Sequence, residues 1–467
     1  MATSRDLTQG PVWRALAAVS APMTLGILAV FSVGIVDAIF LGMIGQTELA
    51  AVGFIYPVTI AVTSLSVGLS AGANAALSQS IGRGDEEIAT TRKGIHATGL
   101  ATILSVLAAL AFWFFDRPLF ALLGAEAEVL DAVLEYTPVW ALSFPFLVSM
   151  MVVNAIFRAH GDGTTAAAVM VLAAVLNVAL DPLLIFGWGP VPALGIEGAA
   201  WATFAGRVAA LALALWIAWR RGLLETCAQP LKDLAGSVRE IGQVGAPAAF
   251  SNAINPAGLA MVTAAVATVG DAAVAGFGAA SRVQSLILVP LFALSAGIGP
   301  VVGQNWGADR KDRARLALKQ SWAFCLGFGL LAALVVTIFA EPIAALLAAG
   351  EESQGYAVLY LRIISWSLFG YGVLVVTNAA MNARSKALYS MGLGIARTFV
   401  LFLPLAWVGV WTFGYVGILV AAVIANAAIA LASVIAARAT ELLATDNALI
   451  AAPARKLPGA REALPAE

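Results

Sequence analysis

Apolar runs of roughly 20 residues recur along this chain from end to end, separated by short clusters of charge, Gly and Pro, and that length is what a helix needs to cross a bilayer. The charge content supports the same reading. Only 11% of the 467 residues are charged and 61% are hydrophobic, with a mean hydropathy of +0.91, whereas soluble domains carry about 25% charge. Lipid accepts the apolar exterior that water would not. The first run, after a polar stretch ending at Arg14, has no signal-peptide cleavage pattern behind it and is read as a span. Two cysteines, Cys227 and Cys325, set up neither a disulfide framework nor a metal site. The net charge of −1 offers no pull on nucleic acid.

Charge clusters and turn residues divide the chain into 12 spans, near 16–41, 49–80, 94–115, 132–157, 163–186, 198–219, 243–268, 272–303, 317–339, 355–382, 387–410 and 416–436. Numbering the connections alternately puts every Lys and Arg outside the spans on one side, apart from Arg117. A bias that strong would collapse if one span were missed or invented, and it places both termini in the cytoplasm. The domain expectation is a cytoplasmic N-terminus (1–15), a first lobe (16–221), a cytoplasmic linker (222–242), a second lobe (243–438) and a disordered cytoplasmic tail (439–467), the tail being rich in Ala, Pro and charge.

The two lobes repeat one another. At a shift of 225 residues Pro22 meets Pro247, Gln79 meets Gln304 and Gly82 meets Gly307; at 224, Tyr136 meets Tyr360, Asn154 meets Asn378 and Ala159 meets Ala383. Six spans per copy give both copies one orientation, so the repeats are parallel and a substrate would sit between them near mid-membrane.

Ionised carboxylates in a span are costly and are functional candidates by default. Asp37 and Asp181 lie clearly inside spans, both in the first lobe; the second lobe has none. Asp37 lies about 8 Å of helical rise before its span's outer end and Asp181 about 9 Å before its own. Asn177 shares the face of Asp181 one turn deeper, and Thr203 on the next span has a similar depth. Two acids in a low dielectric do not both stay ionised unaided: one takes a proton, or a cation sits between them. The plainer alternatives are that Asp181 caps a helix break before Pro182 and that Asp37 snorkels to the interface. Pro22 reads either as a start-of-span proline or as a hinge. In the second lobe Asn252, Asn255, Gln284, Gln304 and Asn378 either line a cavity or bond between helices.

At these residues the chain resembles the multidrug and toxic compound extrusion (MATE) family. Val36-Asp37-Ala38-Ile39-Phe40-Leu41-Gly42 looks like its first-helix motif, Asn177 to Gly187 like its fifth-helix motif, and Ser295 to Ala308 like its eighth-helix motif. The resemblance covers residues 10 to 438. It implies an all-α polytopic membrane protein of 12 transmembrane helices in two parallel six-helix lobes (6+6) around a V-shaped cleft. It also implies export of small organic, often cationic, compounds by H⁺ or Na⁺ antiport. The DinF-like prokaryotic branch carries its cation site in the first lobe, which maps onto Asp37, Asn177, Asp181 and Thr203, with Pro22 at the bend of the first helix and Asn154 in the substrate cavity. Another branch places acids in helices seven and ten, where this chain has none.

The expected function is therefore secondary active efflux by alternating access, in the inner cell membrane, by a monomer that needs no cofactor beyond the coupling ion, H⁺ or Na⁺. A lipid-linked precursor flippase of the same superfamily is the alternative. Enzyme chemistry is not expected: the histidines are His96 and His160 alone, with no HExxH and no acidic metal cluster in a span.

Overall fold

The structure, a computed structural model, describes residues 6–225 and 229–444. Cys227 and the tail beyond residue 444 lie outside the described residues. Helix dominates, as lipid demands of a chain that must satisfy its own backbone polar groups. The first lobe holds α1 (Val12–Ile44), α2 (Gln46–Arg83), α3 (Glu87–Leu122), α4 (Ala127–Leu142 continuing as Phe144–Ala159), α5 (Gly163–Ile185) and α6 (Gly195–Arg220). The second begins with α7 (Leu234–Ala267), α8 (Asp271–Ile287 continuing as Val289–Gly307), α9 (Lys311–Ile338) and α10 (Glu351–Ala383).

One further helical stretch, Ala387–Ala439, is 53 residues long. At 1.5 Å per residue it would reach about 80 Å, more than twice the hydrocarbon thickness. It turns back at Gly414, whose φ of 61° is open to glycine, and a Cβ on Gly409 would lie 2.5 Å from the Gly417 carbonyl oxygen. Backbones eight residues apart touch there, where a straight helix would hold them about 12 Å apart. The stretch is thus two legs, α11 (387–413) and α12 (415–439), which brings the described residues to twelve spans.

The helices run past the predicted spans. α3 starts at Glu87 rather than 94, and α7 starts at Leu234, inside the segment expected to be linker. Hydropathy marks the apolar middle of a helix, while its charged ends stay helical by pairing: Lys93 Nζ meets Glu240 Oε2 at 2.9 Å between α3 and α7. α4 and α8 bend by 43° and 41° at Ser143 and Leu288, just ahead of Pro145 and Pro290. These prolines cannot complete the backbone ladder. Pro22 and Pro57 lie inside unbroken helices.

Each lobe buries its own apolar core, but α1 belongs to both. Leu7, Val12, Leu16 and Val19 pack with Leu291, Ile298 and Leu318 of the second lobe, while Met23 and Leu41 pack in the first-lobe core. Pro22 sits at the changeover. The lobes meet in close backbone contact at the ends of α2 and α8, on the side where Leu7 and Leu442 lie. A Cβ on Gly82 would strike the Gln304 carbonyl, and a Cβ on its repeat mate Gly307 would strike the Gln79 carbonyl. Small residues let backbones approach in a membrane protein, and here they close one side of the lobe interface.

Candidate cation site and central cavity

The four polar residues singled out in the first lobe come together. α1, α5 and α6 pack against one another, with Gly206 of α6 placing its backbone against the Ala173 carbonyl of α5 (2.8 Å from a would-be Cβ). That approach sets Asn177 beside Thr203. The Asn177 amide satisfies its neighbours with its nitrogen on Asp37 Oδ1 (3.1 Å) and its oxygen accepting from Thr203 Oγ1 (3.2 Å). The carboxyls of Asp37 and Asp181 lie within hydrogen-bonding reach of each other. Asp181 is fully buried, and neither of its oxygens meets a donor among the described residues. Phe40 and Phe186 pack edge to face, centroids 6.0 Å apart, toward the outer ends of α1 and α5.

A carboxylate buried without donors is costly unless neutralised. The pair therefore fits a shared proton or a small cation held by hard oxygen donors. Asp181 does not merely cap a break, because α5 continues through Pro182 to Ile185. No group of three or more His, Cys, Asp or Glu able to hold a metal occurs among the described residues.

Arg207 joins this cluster. It lies near Asp37 without forming an ion pair within 4.0 Å, and its Nη1 donates to Ser143 Oγ at 2.5 Å. Tyr136 stands beside Thr203 and Arg207. Arg207 follows Thr203 by four residues, as Asp181 follows Asn177, and that matched one-turn spacing on neighbouring helices was the available sequence signal.

Between the lobes lies a cavity of about 430 Å³. From the first lobe Met23, Phe31, Asn74, Met151 and Arg158 line it; from the second come Asn252, Asn255, Phe292, Tyr371, Asn378 and Asn382. The second-lobe amides thus divide: Asn252, Asn255 and Asn378 face the cavity, whereas Gln284 accepts from Tyr360 and Gln304 donates to the Ala159 carbonyl. Two expectations are corrected. Asn154 does not line the cavity; it is fully buried, with neither amide atom bonded. Arg158, one residue beyond the expected span 132–157 and so read as a connection cation, is 7% exposed, sits in the last turn of α4 and does line the cavity. The second lobe covers it, and a contact between distant parts of the chain leaves no local mark in the sequence.

Comparison with known proteins places these features. The MatE family model matches twice, over residues 22–183 and 247–408, one match per lobe and with the offset of the internal repeat. The chain is 34% identical to an FAD transporter of Shewanella oneidensis over 91% of its own length and 94% of that protein's. It is 25% identical to the probable multidrug resistance protein YoeA of Bacillus subtilis, covering 85% of this chain and 87% of that one. Among solved structures, the Vibrio cholerae MATE transporter VcmN in its bent form superposes with a TM-score of 0.87 at 28% identity, over 94% of this chain and 98% of that one.

Proposed function

This chain belongs to the MATE family of transporters, and on that premise we propose that it exports small organic compounds in exchange for H⁺ or Na⁺ by alternating access of its two lobes. The carrying observation is the Asp37–Asp181 pair, with Asp181 fully buried and meeting no donor among the described residues, Asp37 half-buried beside it, and Arg207 close by. With both acids ionised, the two carboxylates and the guanidinium leave one negative charge in a low dielectric. One monovalent cation neutralises it, so loading and unloading a single ion changes the charge of the layer. Asn177 and Thr203 supply the remaining oxygens and fix the geometry. One charge crossing 100 mV delivers about 2.3 kcal/mol, enough for roughly fiftyfold accumulation of a substrate.

α1 is the link between ion and lobes. Its far half carries Asp37 in the first lobe, and its near half is packed into the second. Neutralising the acids removes their repulsion and alters the packing of α1 on α5, and the backbone donor missing at Pro22 weakens the helix there, so that the far half can move while Val12 to Val19 stay anchored. Cation and substrate then exchange because each favours a different state. The charge bias supports a cytoplasmic position for the closed side of the interface, in an inner-membrane protein taken here as a monomer. The relatives' names, FAD transporter and multidrug resistance protein, support a substrate that is a small organic molecule and a role that is not enzymatic. They do not favour the lipid-linked flippase alternative.

The test is transport in proteoliposomes with pH and Na⁺ gradients imposed one at a time, against a panel of dyes, drugs and flavins. One of the two gradients drives export if the proposal holds; export indifferent to both would overturn it.

A further inference from the structure

The charge of the central cavity is opposite to what a cationic drug requires. Among the described residues its lining contains no Asp or Glu, and Arg158 is its one charged side chain. The guanidinium is deeply buried, Nη2 donates to Ser70 Oγ at 3.0 Å, and among the described residues Nε has no acceptor and no carboxylate pairs with the group. Around it Asn74, Asn378 and Asn382 also line the cavity, their Oδ1 atoms buried and unbonded, and each side-chain amide is able to donate to a ligand. Arg158 corresponds to Asn382 under the repeat shift of 224, so the two lobes present a cation and an amide donor from equivalent positions.

A second cation, half-buried, stands behind the opposite wall. Arg397 lies in a π-helical stretch of α11, Ala396–Phe402, a local irregularity that often marks a functional site. Its Nε donates to Asn426 Oδ1 at 3.0 Å and its Nη1 to Asn255 Oδ1 at 3.4 Å. Its guanidinium lies 4.7 Å from the centroid of Tyr371, and among the described residues its side-chain bonds go to these two amides rather than to an acid. Buried guanidinium groups normally have a carboxylate or phosphate partner, which their fork of donors fits in bidentate fashion. Neither has one among the described residues, and Arg397 reaches the same cavity through Asn255 and Tyr371 of its lining. Above Arg158 the walls turn apolar and aromatic, with Phe31 and with Phe292 edge to face on Tyr371 at 6.3 Å.

We propose that the central cavity takes an organic anion, its phosphate- or carboxylate-class group seated on Arg158 among the asparagine donors and its planar ring beside Phe292 and Tyr371. This deepens the export reading and rests on the cavity being the substrate path. The acid pair does not cancel the charge, since neither Asp37 nor Asp181 lines the cavity.

Binding to the purified full chain, with no membrane and no gradient, tests the cavity apart from the coupling. The probes are riboflavin 5′-phosphate, riboflavin, which carries the same ring without the anion, and the cation ethidium. The phosphate is expected to bind at least tenfold tighter than riboflavin, with ethidium weakest. Arg158→Gln should bring the phosphate-to-riboflavin ratio close to one, and Asn382→Asp, which sets an acid opposite the guanidinium, should lower it independently. Equal binding of the two flavins, tighter binding of ethidium, or an undiminished ratio in both variants would overturn the proposal. Intact phosphate binding together with export indifferent to both gradients would instead count against the coupling reading alone.

Discussion

Gln79 and Gln304 make the same bond in opposite directions across the lobe interface. Gln79 Nε2 donates to the Ala383 carbonyl at 2.6 Å, and Gln304 Nε2 donates to the Ala159 carbonyl at 2.7 Å. Both pairs are repeat mates, so the interface is latched twice with the symmetry of the fold. Gln304 is held further by the Leu7 amide, which donates to its Oε1 at 3.0 Å, while Arg313 holds the following segment through the Gly10 carbonyl at 2.8 Å.

These bonds must break if the lobes part on this side. At about 1 kcal/mol net for each hydrogen bond, the double variant Gln79→Ala/Gln304→Ala should shift the closed-to-open ratio by roughly thirtyfold. Spin labels flanking the interface on the terminal side should report longer distances in the double variant than in either single one. Unchanged distances would show that the latch carries no weight.

The changeover at Pro22 predicts a separable defect. Pro22→Ala restores the backbone donor that proline lacks and stiffens α1. Cation binding should survive while export slows several-fold, because the ion site is untouched and the link is not. An export rate equal to wild type would remove the hinge from the mechanism.

Arg207 sets the charge of the ion layer. Arg207→Gln leaves the two carboxylates uncompensated, so the variant should bind its coupling cation more tightly and release it more slowly. Apparent ion affinity should rise and maximal export rate fall; a loss of ion affinity would contradict the charge balance.

Asp162, in the turn ahead of α5, gives a stability prediction with a sign. Burial pushes its carboxyl up, but the bonds from Thr165 and Arg221 outweigh that and hold it below the usual carboxylate value. Its Oδ1 accepts from the Thr165 amide at 2.9 Å as a helix cap. A lowered folded value means the contribution is present at neutral pH and fades as pH falls through the carboxylate range. Asp162→Ala should cost about 1 kcal/mol, and the gap in melting temperature from wild type should narrow in acid.

The sequence reveals what is local or periodic and little of what is distant. The spans follow from hydropathy, the lobes from the repeat of Pro22, Gln79 and Tyr136, and the acid layer from helical rise applied to Asp37 and Asp181. Helix ends were harder to place, since Lys93 and Glu240 stay helical through a pairing that joins separate helices. Arg158 reads as a loop cation because the second lobe, which shares its cavity, begins more than seventy residues later. Nothing near Val12 announces that α1 starts in one lobe and ends in the other.

The central claim is that Asp37 and Asp181 jointly hold one exchangeable cation. The direct measurement is cation displacement from the purified protein on adding substrate, read as proton release in weak buffer and as ²²Na⁺ loss in parallel, for wild type, Asp37→Asn and Asp181→Asn. Wild type should give up about one cation per chain, of one kind, and each variant none, with all three proteins folded. Release undiminished in both variants would contradict the claim.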